Sequence, residues 1–504
     1  MPSTRSHYDV VVVGGGNTAL CAALTAHEHG ARVAMIEAAP RLERGGNSRF
    51  SGTAWRFVHN GKDHLLPLLD EEGLKEAERC SMAPYTAEDF TKDMLTKSGG
   101  RHNRDEIRMI VDHGYDAMKF MADHGAPFKL PLNFWVSHEG KQGVQELAPG
   151  VPVVNKEYGR GLTDAMWAAV EQTLIDVFYE TPAHDLILDG DRIEGVRART
   201  KDGYHDFYGA VVLACGGFEA NPRLRRQYLG QGAEFAIVRG TRFNTGTMLE
   251  RAIAAGAQAQ GHWGGYHCAP QDLHAPKIGD IKTLDAWERY SFPYSLMVNK
   301  AGRRFCDEGE DELSLIYSKV GAAIAQQPDA TAFQIFDQKT SHLVNDKYRT
   351  HSTPVTASTL QELAQKLDLP VQTLTETIES YNAATQPNTS TFDPYTNDSL
   401  STTTDYAPRK SNWAVSLSSP PYVAYPVTVG ITFTFGGIKT NTSAQVLNNE
   451  DNVMPGLYAM GEMTGGFFYG YAAGASLIRS AVMARVAGKH AAEATHKKAA
   501  SAKL

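Results

Sequence analysis

The stretch from Tyr8 to Glu37 leaves this chain few folds to choose from. Tyr8-Asp9-Val10-Val11-Val12-Val13 is a β-branched apolar run, too short for a helix and suited to a strand buried on both faces. It breaks into Gly14-Gly15-Gly16-Asn17-Thr18-Ala19, which fits the pattern G-x-G-x-x-G/A. An Ala/Leu-rich helical stretch then runs to Gly30, and a second strand, Arg32 to Ile36, ends at Glu37. Strand, glycine turn, helix, strand and acid together make the βαβ unit that binds dinucleotides. Gly14 makes the tight turn, Gly16 lets the backbone approach a pyrophosphate, and Ala19 permits close helix–strand packing. The helix N-terminus presents N–H groups and the positive end of its dipole to the phosphates. Glu37 is placed to accept from ribose hydroxyls and to repel a 2′-phosphate.

Later segments decide which dinucleotide. Gly45-Gly46-Asn47-Ser48 offers a second set of backbone amides where a pyrophosphate would continue. Ala210-Val211-Val212-Leu213-Ala214-Cys215-Gly216-Gly217-Phe218 is another buried strand breaking into a glycine turn. Pro455 to Glu462 is a strand ending in Gly461-Glu462, followed by a glycine-rich turn and a helix from about Ser476. Any one of these turns means little, because glycines end strands in every α/β fold. A cofactor touched by three distant turns is long, which favours FAD over NAD.

Composition narrows the partners. The chain has 504 residues, 42% hydrophobic and 21% charged, enough for a large core and more than one domain. Its net charge of −8 and scattered basic residues recommend neither nucleic acid nor an anionic membrane. No segment approaches the ~20 apolar residues of a membrane span, and Met1 to Asp9 carries no signal-peptide core. The cysteines Cys21, Cys80, Cys215, Cys268 and Cys306 are far apart, without a C-x-x-C pair or metal-ligand spacing, so no metal and no redox disulfide is expected. Ala502-Lys503-Leu504 resembles the small–basic–leucine peroxisomal address, which sets a peroxisomal location, otherwise cytoplasmic, as the expectation.

Together the Val10–Glu37 unit, the Leu213–Phe218 turn and the Gly456–Glu462 strand resemble the succinate dehydrogenase/fumarate reductase flavoprotein superfamily. Arg239 to Gly246, Asp307 to Asp311 and Thr432 to Gly437 are most similar to its tricarballylate dehydrogenase branch, with 3-ketosteroid dehydrogenases more distant. The resemblance implies an α/β fold: a doubly wound, Rossmann-like FAD-binding domain from residues 1–261 and 431–504, with an inserted α+β cap at 262–430 and the substrate between them. Residues 385–412, rich in Thr, Asn, Ser, Asp and Pro, read as a long polar excursion. The cofactor positions implied are Gly14, Gly16, Asn17, Thr18, Ala19, Glu37, Gly46, Asn47, Ser48, Ala183, Ala214, Gly216, Gly461, Glu462, Ser476 and Leu477. Covalent relatives attach FAD through a histidine near the second glycine turn; Gly46-Asn47-Ser48-Arg49 has none, so noncovalent FAD is expected.

The implied reaction moves a hydride between a substrate carbon and the flavin, making or removing a carbon–carbon double bond beside a carbonyl. Electrons then pass to or from an external partner, since no haem or iron–sulfur motif is present. His267 sits where dicarboxylate-reducing relatives place a substrate-binding histidine, and Tyr317 resembles a cap-helix tyrosine facing the flavin. Tyr469 and Tyr471 follow Gly465-Gly466, where phenols can polarise a substrate carbonyl. Against each stands a plain structural role: a satisfied turn histidine, an amphipathic core tyrosine, two phenols walling a pocket.

Three departures bear on the substrate. The arginine expected in the cap is missing from Gly309-Glu310-Asp311-Glu312-Leu313, Ala472 stands near a second arginine position, and Thr432-Phe433 replaces a histidine motif. A dianion in such a cavity is poorly compensated, at a cost of several kcal/mol, so a substrate less anionic than fumarate is expected. Arg56, Arg239, Arg242 and Arg303 remain to hold one carboxylate or to serve the structure. Two other readings stay open: an oxidase of C–O or C–N bonds using oxygen, and a degenerate FAD-binding protein.

Overall fold

The computed structural model describes residues 4–501, so the targeting tripeptide Ala502-Lys503-Leu504 lies outside the described residues. In chain order, the first half supplies β1 (Thr4–Val13), α1 (Asn17–Glu28), β2 (Val33–Ile36), α2 (Arg104–Asp123) and α3 (Tyr158–Glu171). It continues with β3 (Asp176–Phe178), β4 (Ala183–Asp189), β5 (Arg192–Thr200) and β6 (Gly203–Leu213). The second half supplies β7 (Ala259–Asp272), β8 (Leu296–Asn299), α4 (Leu313–Ala325), β9 (Ala332–Phe336) and β10 (Tyr422–Ile438). The chain then returns through β11 (Gln445–Leu447), β12 (Val453–Ala459) and α5 (Ala475–Ser501).

The first sheet has the order β11-β12-β6-β1-β2-β3, with β5 and β4 added beside β6. Its centre, β12, β6, β1, β2 and β3, is parallel. Alternation along β1 shows why: Val10 and Val12 join the core under α1 and α5, while Val11 and Val13 join a second core with Leu186, Ile193 and Val196 of the β4–β5 hairpin. Both faces are covered, as an uninterrupted valine run requires. Helix α1 packs along α5, so the last helix of the chain covers the first strand. The doubly wound sheet expected from both ends of the chain is therefore what forms.

The second sheet is built around the 17-residue β10, which pairs with β7 along most of its length and with β9 at its start. The expected boundaries at 261/262 and 430/431 fall inside these two strands, whose pairing is irregular between Gly261 and Tyr266 and holds across 430/431. Helix α4 lies across β7 and β10; a Cβ at Gly321 would stand 3.0 Å from the Ala269 amide, so the glycine lets helix and strand touch. Residues 385–412 hold no helix or strand, as their composition suggested, but they are stitched down. Asp398 accepts from the N–H groups of Leu400 and Trp413 (both 2.9 Å), and the buried Lys410 ammonium donates to the Ser295 carbonyl (2.6 Å). No helix among the described residues is long and apolar enough to cross a membrane.

Candidate active site

The C-terminal ends of β1, β6 and β12 share one edge, where an open α/β sheet places its ligand crevice. A Cβ on Gly14, whose φ is +119°, would sit 2.4 Å from the Ala214 carbonyl oxygen, so bare backbone is what brings two of these turns together. The edge opens into a continuous cleft, partly open to solvent. The cleft is lined without interruption from the glycine turns at the strand ends to His267, Tyr317 and Tyr471.

Of the cofactor positions read from the sequence, Gly14, Gly16, Thr18 and Glu37 line the cleft, as do Gly46, Asn47 and Ser48. Ala183, Ala214, Gly216, Gly461 and Glu462 line it too, and so do Ser476 and Leu477 in the first turn of α5. Asn17 and Ala19 stand behind it, buried in the helix packing. The Asn17 amide already donates to Ser48 Oγ (3.0 Å), so it is not open to a phosphate. Asn47 is also committed: its Nδ2 donates to Glu219 and to the Thr432 carbonyl (both 2.7 Å), and its Oδ1 accepts from the Thr241 amide (2.9 Å). It pins three segments of the wall.

Glu37 is buried with one oxygen accepting from the Ala39 amide (2.8 Å), and burial pushes its carboxyl up to about 7 against the pull of the Ala39 and Ala38 amides. A Cβ on Gly15 would stand 2.3 Å from its other oxygen. Sequence reasoning treated Gly15 as the free position of the motif; the approach of Glu37, a contact between two ends of the βαβ unit, makes it as constrained as its neighbours.

Next to this cradle the cleft is walled by aromatic rings. His267 on β7 stacks on Phe433 of β10, with ring centres 5.0 Å apart, and meets Tyr471 edge-on at 4.6 Å. Tyr317 of α4 touches Tyr290 and Trp135, with centres at 5.1 and 6.0 Å. The placement has a backbone cause: pairing of β7 with β10 slips between His267 and Cys268, which face Phe433 and Ile431, leaving Thr432 as the extra residue of a bulge. Such bulges re-aim side chains beside active sites.

Two polar links run through this box. His267 Nε2 and the Tyr317 hydroxyl are 2.7 Å apart. Burial, reinforced by the charge of Arg239, pushes the His267 imidazole well below its usual pKa, so it is neutral and its Nδ1 has no protein partner. Burial, with Tyr471 and Tyr290 nearby, pushes the Tyr317 phenol well above its usual value, so it is a held proton. The Tyr471 oxygen accepts from the Ser476 amide at the start of α5 (3.2 Å), which leaves its own proton for another acceptor. Tyr469 stands apart: it is 62% exposed, lies outside the cleft lining, and packs on Arg101 and His262.

The arginines are mostly spoken for. Arg239 lines the cleft but is paired with Asp285 and with Glu288 (3.3 Å), and Lys347 joins both carboxylates at 2.9 and 2.7 Å. Burial and the neighbouring Asp285 push Glu288 up to about 8, so this group of four carries about one net positive charge near neutral pH. Arg479 also lines the cleft, held by Glu106 at 2.7 Å and by the Gly461 carbonyl at 2.9 Å. Arg56 is buried outside the lining, Arg242 is exposed and paired with Glu43, and Arg303 is exposed.

Known proteins share this arrangement of chain. The NADH:fumarate oxidoreductase of Klebsiella pneumoniae (strain 342) is 26% identical over 96% of this chain and 48% of its own length, so the chain spans about half of that relative. The 3-oxosteroid 1-dehydrogenase of Mycobacterium tuberculosis (strain ATCC 25618 / H37Rv) is 24% identical over 92% of this chain and 93% of its own. In fold, the chain is similar to the 3-ketosteroid delta1-dehydrogenase of Sterolibacterium denitrificans, with a TM-score of 0.72 and 19% identity over 97% of this chain and 100% of that one. With the glycine turns of both chain ends and the Glu37 carboxylate on one cleft, the match of residues 9–477 to the FAD binding domain model shows the family, and the chain belongs to it.

Proposed function

We propose that the protein is an FAD-dependent oxidoreductase that adds or removes hydrogen across the carbon–carbon bond beside a carbonyl, on a substrate less anionic than fumarate. The observation that carries this reading is the aromatic box, where two phenols and a neutral imidazole meet on the wall of the cofactor cleft. Bound FAD supplies a two-electron acceptor or donor for the hydride; the residues supply the protons and the polarity. Tyr471, its oxygen held by the Ser476 amide, turns its proton to the substrate carbonyl. In the reducing direction Tyr317 gives its proton to the substrate carbon, while neutral His267, 2.7 Å away, donates a hydrogen bond from Nε2 to the phenol oxygen as negative charge develops there; the reverse reaction returns the proton to that oxygen. The flat rings exclude water and sandwich a planar enone.

Charge sets the substrate class. The group of Arg239, Lys347, Asp285 and Glu288 can balance one negative charge and not two. A ketone, a polycyclic enone or a monocarboxylate therefore suits the cleft, while fumarate and tricarballylate do not. The related enzymes named for fumarate and for 3-oxosteroids bracket this range. Noncovalent FAD is supported by the absence of histidine from Gly46 to Arg49, and electrons enter or leave through an external partner.

An anaerobic half-reaction tests the reading. Dithionite-reduced protein is mixed with 2-cyclohexen-1-one, a 3-oxosteroid unsaturated between the carbons α and β to its carbonyl, acrylate and fumarate, and the flavin band is followed. Reoxidation by a neutral enone, faster than by fumarate, is the expected result. Reoxidation by fumarate alone overturns it, as does a flavin that only an alcohol or amine reduces and that, on admission of air, oxygen reoxidises with formation of peroxide.

A further inference from the structure

The two phenols of the cleft are held relative to each other by a residue that does not line it. Arg56 is fully buried in the interior. Its Nε donates to the Ala473 carbonyl (2.9 Å), its Nη1 to Asp93 (2.6 Å) and the Tyr85 oxygen (2.7 Å), and its Nη2 to Ser314 Oγ (3.0 Å). The Ser314 hydroxyl in turn donates to Glu312 (2.7 Å), and the Ala473 amide to the Ser314 carbonyl (3.0 Å). Ser314 lies one turn before Tyr317 in α4, and Ala473 lies between Tyr471 and the start of α5. One planar guanidinium thus grips the two segments that carry the phenols and anchors both to Asp93 on the helix Ala87–Lys97. A lysine, whose three N–H donors radiate from a single nitrogen, cannot span these separated acceptors as the planar guanidinium does. Asp93 and Glu312 compensate the charge of Arg56, which leaves it nothing for a substrate carboxylate.

We propose that Arg56 is a positioning residue for proton transfer: by clamping Ser314 and Ala473 it fixes the separation of Tyr317 and Tyr471, and it touches neither substrate nor flavin. The inference rests on the acid–base reading of those two tyrosines. A displacement of about 1 Å in a reacting constellation costs up to ~10²-fold in rate, so the clamp shows in turnover and not in binding.

Two variants test it. Ser314→Ala breaks one link and keeps the charge; Arg56→Met with Asp93→Asn removes the clamp together with one of its charged partners, and Ser314→Ala decides alone if the double variant does not fold. Each is measured for flavin content, for the limiting rate and half-saturation of anaerobic reoxidation by 2-cyclohexen-1-one, and for amide hydrogen exchange over residues 313–317 and 471–476. Full flavin content, a limiting rate lowered about tenfold and half-saturation within about threefold of the parent are expected. Exchange should rise in both segments together. A parental limiting rate, a change confined to half-saturation, or faster exchange in only one segment overturns the proposal. If the parent protein is not reoxidised by the enone, the hydride reading fails by itself, and paired or unpaired exchange still decides the clamp.

Discussion

At the scale of single residues, protonation states do most of the explaining. Glu37 titrates near 7 because it is buried with little compensation. Ribose hydroxyls donate to its ionised form, so FAD affinity should rise with pH through about 7, measured by titration calorimetry between pH 6 and 8; in Glu37→Gln the rise should vanish. For the chemistry, Tyr317→Phe and Tyr471→Phe should each slow flavin turnover about 10²- to 10⁴-fold, while Tyr469→Phe changes nothing. Stopped-flow rates check this, and an effect of Tyr469 comparable to that of Tyr471 contradicts the site. The sequence made most of the cleft lining legible, because several glycine turns at strand ends occur together in one order along the chain. It could not separate Tyr469 from Tyr471: two residues apart in a turn, they differ only in which way the backbone points them, and Tyr469 adopts a positive φ of 58° that no local pattern announces. The commitment of Asn47 to Glu219 and Thr432 was equally hidden, since both partners come from far along the chain.

At the scale of elements, the order of strands and helices was readable where hydrophobic runs met glycine turns. The second sheet was not, because what positions His267 is a bulge in the β7–β10 pairing, and a slip of one residue leaves no mark in composition. The bound between β1 and β6 gives a direct check. Gly14→Ala forces a Cβ to 2.4 Å from the Ala214 carbonyl at a positive φ, so purified variant should lose most of its flavin and melt several degrees lower. Helices α2 and α5 are joined by Glu106 and Arg479. Burial opposes ionisation of Glu106, but Arg479 and His102 outweigh it and hold the carboxyl at about 2, below its ordinary value of 4.5. The stability this contributes is full above pH 4.5 and is lost as pH falls towards 2. Denaturant midpoints of Glu106→Gln should accordingly fall less between pH 5 and 3 than those of the parent.

For the whole molecule, one consequence joins fold to function. Both ends of the chain build the cofactor cradle, and the long β7–β10 pair delivers the aromatic wall beside it. The charge balance of that wall is legible in part from sequence, as missing arginines, and in part only from the structure, which shows Arg239 already shared among carboxylates. Because Glu288 gives up its proton near pH 8, a monocarboxylate such as acrylate should bind progressively worse above that pH, while a neutral enone should not. The measurement that bears most directly on the account is anaerobic flavin bleaching by a saturated 3-oxosteroid carrying deuterium on the carbon β to its carbonyl. Bleaching with a primary isotope effect is expected, at a rate that Tyr317→Phe lowers by orders of magnitude. A protein that holds FAD but is bleached neither by this ketone nor by any uncharged carbonyl compound, or is bleached at the same rate without Tyr317, contradicts it.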